Sequence, residues 1–387
     1  MIIHMESRSK IMWIVPSAIF WGSAATVVYT YAGYPTAIKL LSKFFPRPIL
    51  KQDYTPKVSI VLAAHNERKV IASKLENLLQ LDYPKDKKQI IVVSDGSTDD
   101  MELLVEPFTQ RGVELFRLNK AEGKPTALNL GVSKATGDII VFCDARQTIG
   151  TNALHALTAC FADASVGAVS GELELTGKKG LGFYWKYEKF IRMAEAEFDS
   201  APGATGALFA IRKNLFEPIP KDLLLDDVFT PMQIILKGFR VVFESNAKIY
   251  DKEASTNDEF QRKSRTLAGN FQLLHHLPGI LNPFKNRIFG QFASHKLLRL
   301  VCPFALITLL GSNIILVVFM APGWPIYVLT LVGQLIGYGL AINGYIAGED
   351  AGKLSKLAST FTTLNGAAIV GLKRYLYNDF MWTSSKK

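Results

Sequence analysis

Acidic side chains follow three segments of this chain that are rich in strand-forming residues. Glu67 comes after VSIVLAAHN, Asp95 after IIVVS and Asp144 after DIIVFC, and a further acidic pair, Asp226 and Asp227, follows LLL. In an open parallel sheet, ligands bind in the crevice outside the carboxyl ends of the strands. A carboxylate placed there costs desolvation free energy unless it meets a cation, a hydrogen-bond donor or a substrate hydroxyl. These placements predict a ligand-binding crevice lined by acidic groups.

Taken one at a time, these carboxylates each admit two interpretations. Asp95 precedes Gly and Ser, so it can accept hydrogen bonds from a uracil edge or ribose hydroxyls, or it can cap the next helix from a turn. Asp144 can hold Mg²⁺ or Mn²⁺ beside a diphosphate, or it can pair with Arg146 in a surface turn. Asp226 and Asp227 can take part in chemistry, or they can simply favour the first turn of a helix.

Lys124 lies in EGKPTALNLG, just before a predicted helix. A lysine at a helix start suits an anion, although a solvated lysine is the alternative. The first strand is not followed by G-x-G-x-x-G, and G-x-x-x-x-G-K-[ST] occurs nowhere in the sequence. The sequence therefore disfavours dinucleotide and P-loop chemistry and leaves a nucleotide site of another kind.

The elements that must position these groups alternate between strand and helix patterns. An apolar face runs through the helical stretch 67–80, and Gly137 ends a helix before the strand that leads to Asp144. This order predicts an α/β fold with a mostly parallel, doubly wound sheet. A later change of pattern around the Tyr/Trp/Lys-rich helix 183–197 predicts a mixed extension of that sheet. The predicted strands are 58–63, 89–93, 113–118, 138–143, 166–175, 205–212 and 239–244.

Apolar blocks flank this region in a chain of 387 residues that is 49% hydrophobic. Residues 11–33, 300–320 and 324–345 are long enough to span a hydrocarbon core of ~30 Å. The block 354–376 either spans or lies in the interface, and the basic, amphipathic residues 259–299 predict helices on the membrane surface.

Positive charge flanks the first apolar block unequally, which predicts an external amino terminus and a cytosolic α/β domain in a multi-pass cell-membrane protein. The formal net charge is +10. Many basic residues lie beside apolar blocks, where attraction to anionic lipid explains them. The basic residues are therefore expected to bind membrane lipids and not nucleic acid.

Four regions follow from this organisation. Residues 1–54 form a transmembrane span and juxtamembrane linker, with 34–56 as the linker stretch. The predicted catalytic domain is 55–258, interfacial helices occupy 259–299, and a transmembrane region covers 300–387.

Seven motifs occur in order along the chain: AAHNE (63–67), VSDGSTDD (93–100), EGKPTALNLG (122–131), ATGDIIVFCDAR (135–146), GATGALFAIR (203–212), LLDD (224–227) and RKSRT (262–266). Together they resemble the family 2 glycosyltransferases, membrane-anchored enzymes with a GT-A fold. The resemblance covers about 200 residues and the helices that follow. It implies a Rossmann-like mixed sheet flanked by transmembrane and interfacial helices. It also implies inverting transfer of a sugar from a nucleotide diphosphate sugar, usually UDP-linked, to a lipid-linked or glycan acceptor.

The resemblance assigns roles to positions that match the family motifs. Asp144 matches the first acidic residue of D-x-D and would face Mg²⁺ or Mn²⁺. Asp227 matches the catalytic base, with Asp226 beside it, and Thr205 and Gly206 match the acceptor-side loop. The positions that match the nucleotide-sugar site are Ala63, Glu67, Asp95, Lys124, Asp144 and Arg146.

Two departures from the family pattern affect the expected chemistry. Arg146 replaces the second aspartate of D-x-D, so the metal loses one protein ligand and Arg146 can itself pair with the diphosphate. The Q-x-x-R-W motif of processive synthases reads Arg262-Lys263-Ser264-Arg265-Thr266, which lacks both Gln and Trp. Addition of a single sugar, with Arg262 and Arg265 at the acceptor, is therefore the leading hypothesis. A processive polysaccharide synthase and a non-catalytic membrane scaffold on the same fold are the alternatives.

Overall fold

The computed structural model of the chain describes residues 2–176, 182–252, 256–320 and 325–377. Its internal contacts define two compact units. The first, here called the α/β unit, comprises residues 38–255, 268–292 and 374–387. The second, here called the helical unit, comprises residues 1–37, 256–267 and 293–373.

An eight-stranded sheet forms the centre of the α/β unit, in the order β3-β2-β1-β4-β7-β6-β8-β5. Strands β3, β2, β1 and β4 are mutually parallel, β7 runs antiparallel to both β4 and β6, and β5 runs antiparallel to β8. The predicted α/β fold with a mixed extension is confirmed. The strands are β1 Val58–Ala64, β2 Lys88–Asp95, β3 Val113–Leu118, β4 Ile139–Cys143, β5 Thr148–Ile149, β6 Val166–Thr176, β7 Leu208–Arg212 and β8 Arg240–Lys252.

Strand positions follow the hydrophobic pattern closely because the central strands are buried on both faces. β1 and β4 are almost wholly buried, as expected for parallel strands covered by helices. The strand predicted at 239–244 begins at Arg240 and extends further, to Lys252. Its second half pairs with β6 and alternates between buried and more exposed residues. The helices of this unit are α3 Ile71–Leu79, α4 Met101–Thr109, α5 Lys124–Lys134, α6 Ala153–Ala159, α7 Gly182–Phe198, α8 Asp226–Leu236 and α10 Phe289–Phe292.

The helix predicted over 67–80 begins later, at Ile71. Asn66 has a φ of 55°, and the carbonyl of Glu67 accepts hydrogen bonds from the amides of Val70 and Ile71 at 3.0 Å each. Residues 66–70 therefore form a turn at the end of β1. This turn leaves Glu67 at the edge of the sheet instead of inside a helix.

Long helices make up the helical unit. α1 (Ile2–Val28) continues through a π-helical turn, Tyr29–Gly33, into α2 (Tyr34–Phe44), whose residues 38–44 belong to the α/β unit. The first part of the predicted linker 34–56 is therefore helical. α11 (Leu298–Met320), α12 (Pro325–Ala347) and α13 (Lys353–Leu376) follow. Residues 321–324, where the second predicted span gives way to the third, lie outside the described residues.

Three helices are long and apolar enough to cross a membrane by length and composition: Trp13–Phe44, Phe289–Phe319 and Pro325–Ala347. They overlap the three blocks predicted to span, while α13 is not among them within the described part of the chain. The predicted interfacial stretch 259–299 resolves into α9 (Thr256–His276), a 3₁₀ turn at Pro278–Leu281, and the start of the helix that becomes α11.

Candidate active site

Three neighbouring parallel strands end together at one edge of the sheet. Leu62 in β1 pairs with Cys143 in β4, and Ala64 at the end of β1 pairs with Ser94 in β2. Since parallel strands present their carboxyl ends on the same side, Glu67, Asp95 and Asp144 all follow at this edge. Ala63, the second-to-last residue of β1, is only partly buried.

The antiparallel strand β7 brings a further loop to the same edge. Leu208, its first residue, pairs with Cys143, so the residues that precede it lie beside Asp144. Thr205 is nearly buried there; its amide donates to Ser170 Oγ at 2.8 Å, and Arg192 donates to its hydroxyl oxygen at 3.2 Å. The reversal of one strand thus adds the loop 203–207 to the crevice.

Lys124 gathers the acidic groups of this edge. Its Nζ lies 3.1 Å from Asp144 Oδ1 and 3.4 Å from Asp226 Oδ2. Burial lowers the pKa of the Lys124 ammonium, but Asp144, Asp226 and Asp227 outweigh that effect and hold the pKa well above its usual value. The lysine is therefore a protonated cation. It links the Asp144 carboxylate, which follows β4, to the Asp226 carboxylate at the start of α8.

Adjacent aspartates at the start of α8 face different neighbours. Asp226 is 6% exposed and directs Oδ2 toward Lys124. Asp227 faces the loop before β7: a Cβ added at Gly206 would lie 2.8 Å from Asp227 Oδ2. A side chain at position 206 would force the Asp227 carboxylate or the loop to shift. Both side chains lie in the first turn of α8, where the helix dipole favours negative charge.

Pro231 explains how the loop 203–207 is attached to α8. A proline has no N–H, so the carbonyl four residues earlier in the helix, that of Asp227, loses its helical hydrogen bond. The Asp227 carbonyl instead accepts the Ala204 amide at 2.7 Å. Sequence reasoning did not use this proline, although a proline five residues into a predicted helix is a visible signal.

Asp95 is buried completely, and its carboxylate holds the chain that precedes Lys124. Oδ1 accepts the amide of Glu122 at 2.7 Å and Oδ2 accepts that of Gly123 at 2.9 Å. Gly96 has a φ of 57°, and a Cβ there would lie 2.2 Å from the Ala121 nitrogen. Asp95 and Gly96 therefore hold the loop before α5 in place. Contact of Asp95 with a nucleotide stays a prediction.

Glu67 and Arg146 are two further charged groups at this edge. Burial raises the pKa of the Glu67 carboxyl, the Arg146 guanidinium opposes that shift, and Asp144 and Asp99 add to it. Arg146 itself is exposed. Glu67 therefore interacts electrostatically with Asp144 and with Arg146 at the ends of β1 and β4.

Gln272 is a site-supporting residue that sequence reasoning missed. Its side chain is 2% exposed. Its Oε1 accepts the Leu224 amide at 3.0 Å, and its Nε2 donates to the Asp222 carbonyl at 2.6 Å. The segment held in this way leads directly into Asp226. The available signal was a polar residue one helical turn after the buried Ala268 of α9.

Replacing Gln272 with Leu is expected to lower turnover more than donor affinity, since the change loosens the segment before Asp226 and leaves the rest of the edge intact. Loss of the partner of a buried amide should also cost about 1–3 kcal/mol of unfolding free energy. The measurements are kcat, donor KM and thermal unfolding. His275→Ala, exposed on the same helix, is the control. A Gln272→Leu protein with unchanged kcat would show that the hydrogen bonds of Gln272 to Leu224 and Asp222 do not position the site.

Arg262 and Arg265 belong to the helical unit, three residues apart on α9 and partly buried. Their assignment to an acceptor stays a prediction. Among the described residues, no group of three or more His, Cys, Asp or Glu side chains could hold a metal ion by itself. Asp144 is the partly exposed carboxylate of the predicted D-x-D position, with 39% of its side chain accessible.

Comparisons with known proteins agree with this architecture. Residues 59–219 match the model of the family described as Glycosyl transferase family 2. Residues 59–219 of the α/β unit therefore form a family 2 glycosyltransferase domain with a GT-A fold. The resemblance inferred from the motifs is confirmed.

Particular relatives share parts of this chain. The Bacillus subtilis protein "Probable glycosyltransferase YdaM" is 28% identical over 241 residues, covering 56% of this chain and 55% of its own. The Staphylococcus aureus "Poly-beta-1,6-N-acetyl-D-glucosamine synthase" is 25% identical over 209 residues, covering 51% and 50%. The chain thus spans about half the length of these curated relatives.

One solved structure resembles nearly the whole chain. It is described as mannosyltransferase PcManGT from Pyrobaculum calidifontis in complex with GDP-Man and Mn²⁺. The two share 24% identity at a TM-score of 0.73, and the match covers 94% of this chain and 99% of that one. This likeness supports the fold.

Proposed function

We propose that this chain is a membrane-bound inverting glycosyltransferase that moves a sugar from a nucleotide diphosphate sugar to a lipid-linked or glycan acceptor. The observation that carries the proposal is the convergence of Asp144 and Asp226 on Lys124 at the edge of a family 2 domain. A cation between carboxylates, beside a helix start, is a suitable place for a diphosphate and its counter-ion.

The donor is proposed to be a UDP-sugar, bound by Ala63, Glu67, Asp95, Lys124, Asp144 and Arg146. Lys124 would exchange a carboxylate for the diphosphate, and the exposed Arg146 would donate to it in bidentate fashion. The mannosyltransferase of similar fold was solved with GDP-Man, so GDP-sugars are the competing donor class. Protection against thermal unfolding by each nucleotide sugar distinguishes them.

A divalent metal, Mg²⁺ or Mn²⁺, is proposed to bind at Asp144. The donor set fits such an ion only if phosphate oxygens complete its coordination, because the described residues offer no three-ligand cluster. When bound, the ion would offset negative charge on the departing diphosphate. Mn²⁺ in the mannosyltransferase complex supports this choice.

Asp227 is proposed to be the base. The acceptor oxygen forms a bond to the anomeric carbon as the bond from that carbon to the diphosphate oxygen breaks on the opposite face. The bonding electron pair leaves with the diphosphate, and the hydroxyl proton passes to the Asp227 carboxylate. Lys124 and Arg146 offset the charge that develops on the leaving group. Thr205 and Gly206 would shape the acceptor side, since Gly206 lies against Asp227.

Addition of one sugar to a lipid-linked acceptor is the expected outcome with purified enzyme and a single nucleotide sugar. Arg262 and Arg265 would contact the acceptor phosphates, so Arg265→Glu should raise the acceptor KM more than the donor KM. Product length is measured by mass spectrometry, and nucleotide release by a coupled assay. Asp138→Asn, at the opposite end of β4, serves as the control.

Other products would favour the alternatives. A ladder of long polymers would support a processive polysaccharide synthase, an alternative favoured by the named activity of the Staphylococcus aureus relative. Absence of nucleotide release with every donor and acceptor would support a non-catalytic membrane scaffold.

The proposed location is the cell membrane, with several spans and the catalytic domain in the cytoplasm. Three long apolar helices support membrane association, and the Lys/Arg bias supports this orientation. A reporter fused after Lys51 is expected to be internal, and one fused after Gly323 external. The reverse pattern would separate the site from cytosolic nucleotide sugars and reject this topology.

A further inference from the structure

The carboxylates at the sheet edge outnumber the cations beside them. Asp144, Asp226 and Asp227 all act on the single ammonium of Lys124. The three carboxylates exceed this one ammonium by two negative charges. They form a partly buried cluster, where Coulomb repulsion is less screened than in water.

Asp226 is a buried carboxylate with an unsatisfied oxygen. The residue is 6% exposed, and its Oδ2 accepts no hydrogen bond from any residue that the structure describes. The contact that this oxygen makes with a charged group is the 3.4 Å approach of Lys124 Nζ. A buried carboxylate oxygen without hydrogen bonds is costly unless a cation compensates it.

The position of the ammonium identifies where such a cation binds. Lys124 Nζ contacts Asp144 Oδ1 and Asp226 Oδ2 together, so these two oxygens face one common point. Asp227 also acts on the ammonium electrostatically, and its Oδ2 lies against Gly206. The 3.4 Å approach of Asp226 Oδ2 to Lys124 Nζ is the geometric observation that selects Asp226.

We infer that Asp226 is the second protein carboxylate of the divalent-cation site, in the place that Arg146 leaves unfilled at the D-x-D position. Asp144 and Asp226 would bind Mg²⁺ or Mn²⁺ together with phosphate oxygens of the nucleotide. Lys124 occupies the point between them before the metal and nucleotide arrive, and then turns to the phosphates. This inference rests on the proposed function, since it concerns the same donor site.

The first experiment measures Mn²⁺ affinity without turnover. The full-length chain in detergent is titrated with Mn²⁺ in the presence of UDP or GDP, and free Mn²⁺ is followed by electron paramagnetic resonance. Asp144→Asn and Asp226→Asn are each expected to weaken the Mn²⁺ Kd by at least about tenfold. Asp227→Asn removes the same charge one residue away, so it measures the electrostatic effect of losing one carboxylate charge at this edge. The inference is wrong if Asp226→Asn weakens Mn²⁺ binding no more than Asp227→Asn does.

The second experiment uses Mn²⁺ alone and tests the exchange with Lys124. Lys124→Met removes the ammonium between the two carboxylates, so Mn²⁺ should bind this variant more tightly than the wild-type protein in the absence of nucleotide. Adding Asp226→Asn to Lys124→Met should reverse that gain. A Lys124→Met protein with no gain in Mn²⁺ affinity would reject a shared position for the lysine and the metal.

Failure of the inference differs from failure of the proposed function. If wild-type protein binds no Mn²⁺ with either nucleotide, the proposed donor site is wrong and the inference is overturned with it. If Asp144→Asn weakens Mn²⁺ binding and Asp226→Asn has no effect beyond that of Asp227→Asn, only the role of Asp226 is rejected.

Discussion

Asp227→Asn is expected to reduce turnover by about 10²–10⁴-fold, the range for loss of a positioned acid/base group, while donor binding is retained. The amide keeps the shape of the side chain against Gly206 and keeps the first turn of α8, but it cannot accept the acceptor proton. The backbone link from the Asp227 carbonyl to Ala204 is unaffected by the change. The loss should therefore appear in kcat and not in donor affinity.

The measurement is nucleotide release together with thermal protection by the donor. Asp138→Asn, an exposed carboxylate next to the start of β4, should retain wild-type turnover and shows that loss of one negative charge is not sufficient. Near wild-type turnover in Asp227→Asn would reject this residue as the base and direct attention to another group at the acceptor side.

Chelation of divalent metal is expected to abolish turnover, and added Mg²⁺ or Mn²⁺ should restore it. Three carboxylates act on the Lys124 ammonium at the sheet edge, and a diphosphate is itself an anion. These carboxylates and the diphosphate repel each other unless a further cation binds between them. A metal in this role contributes several kcal/mol to charge stabilisation, which corresponds to a rate loss of about 10²-fold or more when it is removed.

The decisive comparison is activity in EDTA with and without added Mg²⁺, at constant ionic strength. Full activity in EDTA would contradict metal dependence and would assign neutralisation of the diphosphate to Lys124 and Arg146. In that case Arg146→Ala should remove most of the remaining turnover. If EDTA abolishes activity instead, Arg146→Ala should have the smaller effect, because the metal carries most of the compensating charge.

The sequence by itself predicted the frame of the site. Strand β3 was predicted at its observed bounds, 113–118, and the order of strands and helices predicted the parallel half of the sheet. These features depend on hydrophobic periodicity and on the handedness of parallel connections. Both are determined by stretches of roughly a few tens of residues. The motifs likewise indicated the family and the edge at which Asp144 and Asp227 lie.

Only the tertiary structure decided which way the side chains at that edge point. Asp95 turns inward to hold the loop before Lys124, while Asp226 and Asp227, adjacent in sequence, face different partners. Gln272 is also assigned only through its contact with Leu224. These partners are far apart in the chain, and their meeting depends on how α8 and α9 pack. Local periodicity specifies which face of an element is buried, whereas the partner of a polar group is set by the packing of distant elements, where each buried polar atom needs a hydrogen bond or a counter-charge.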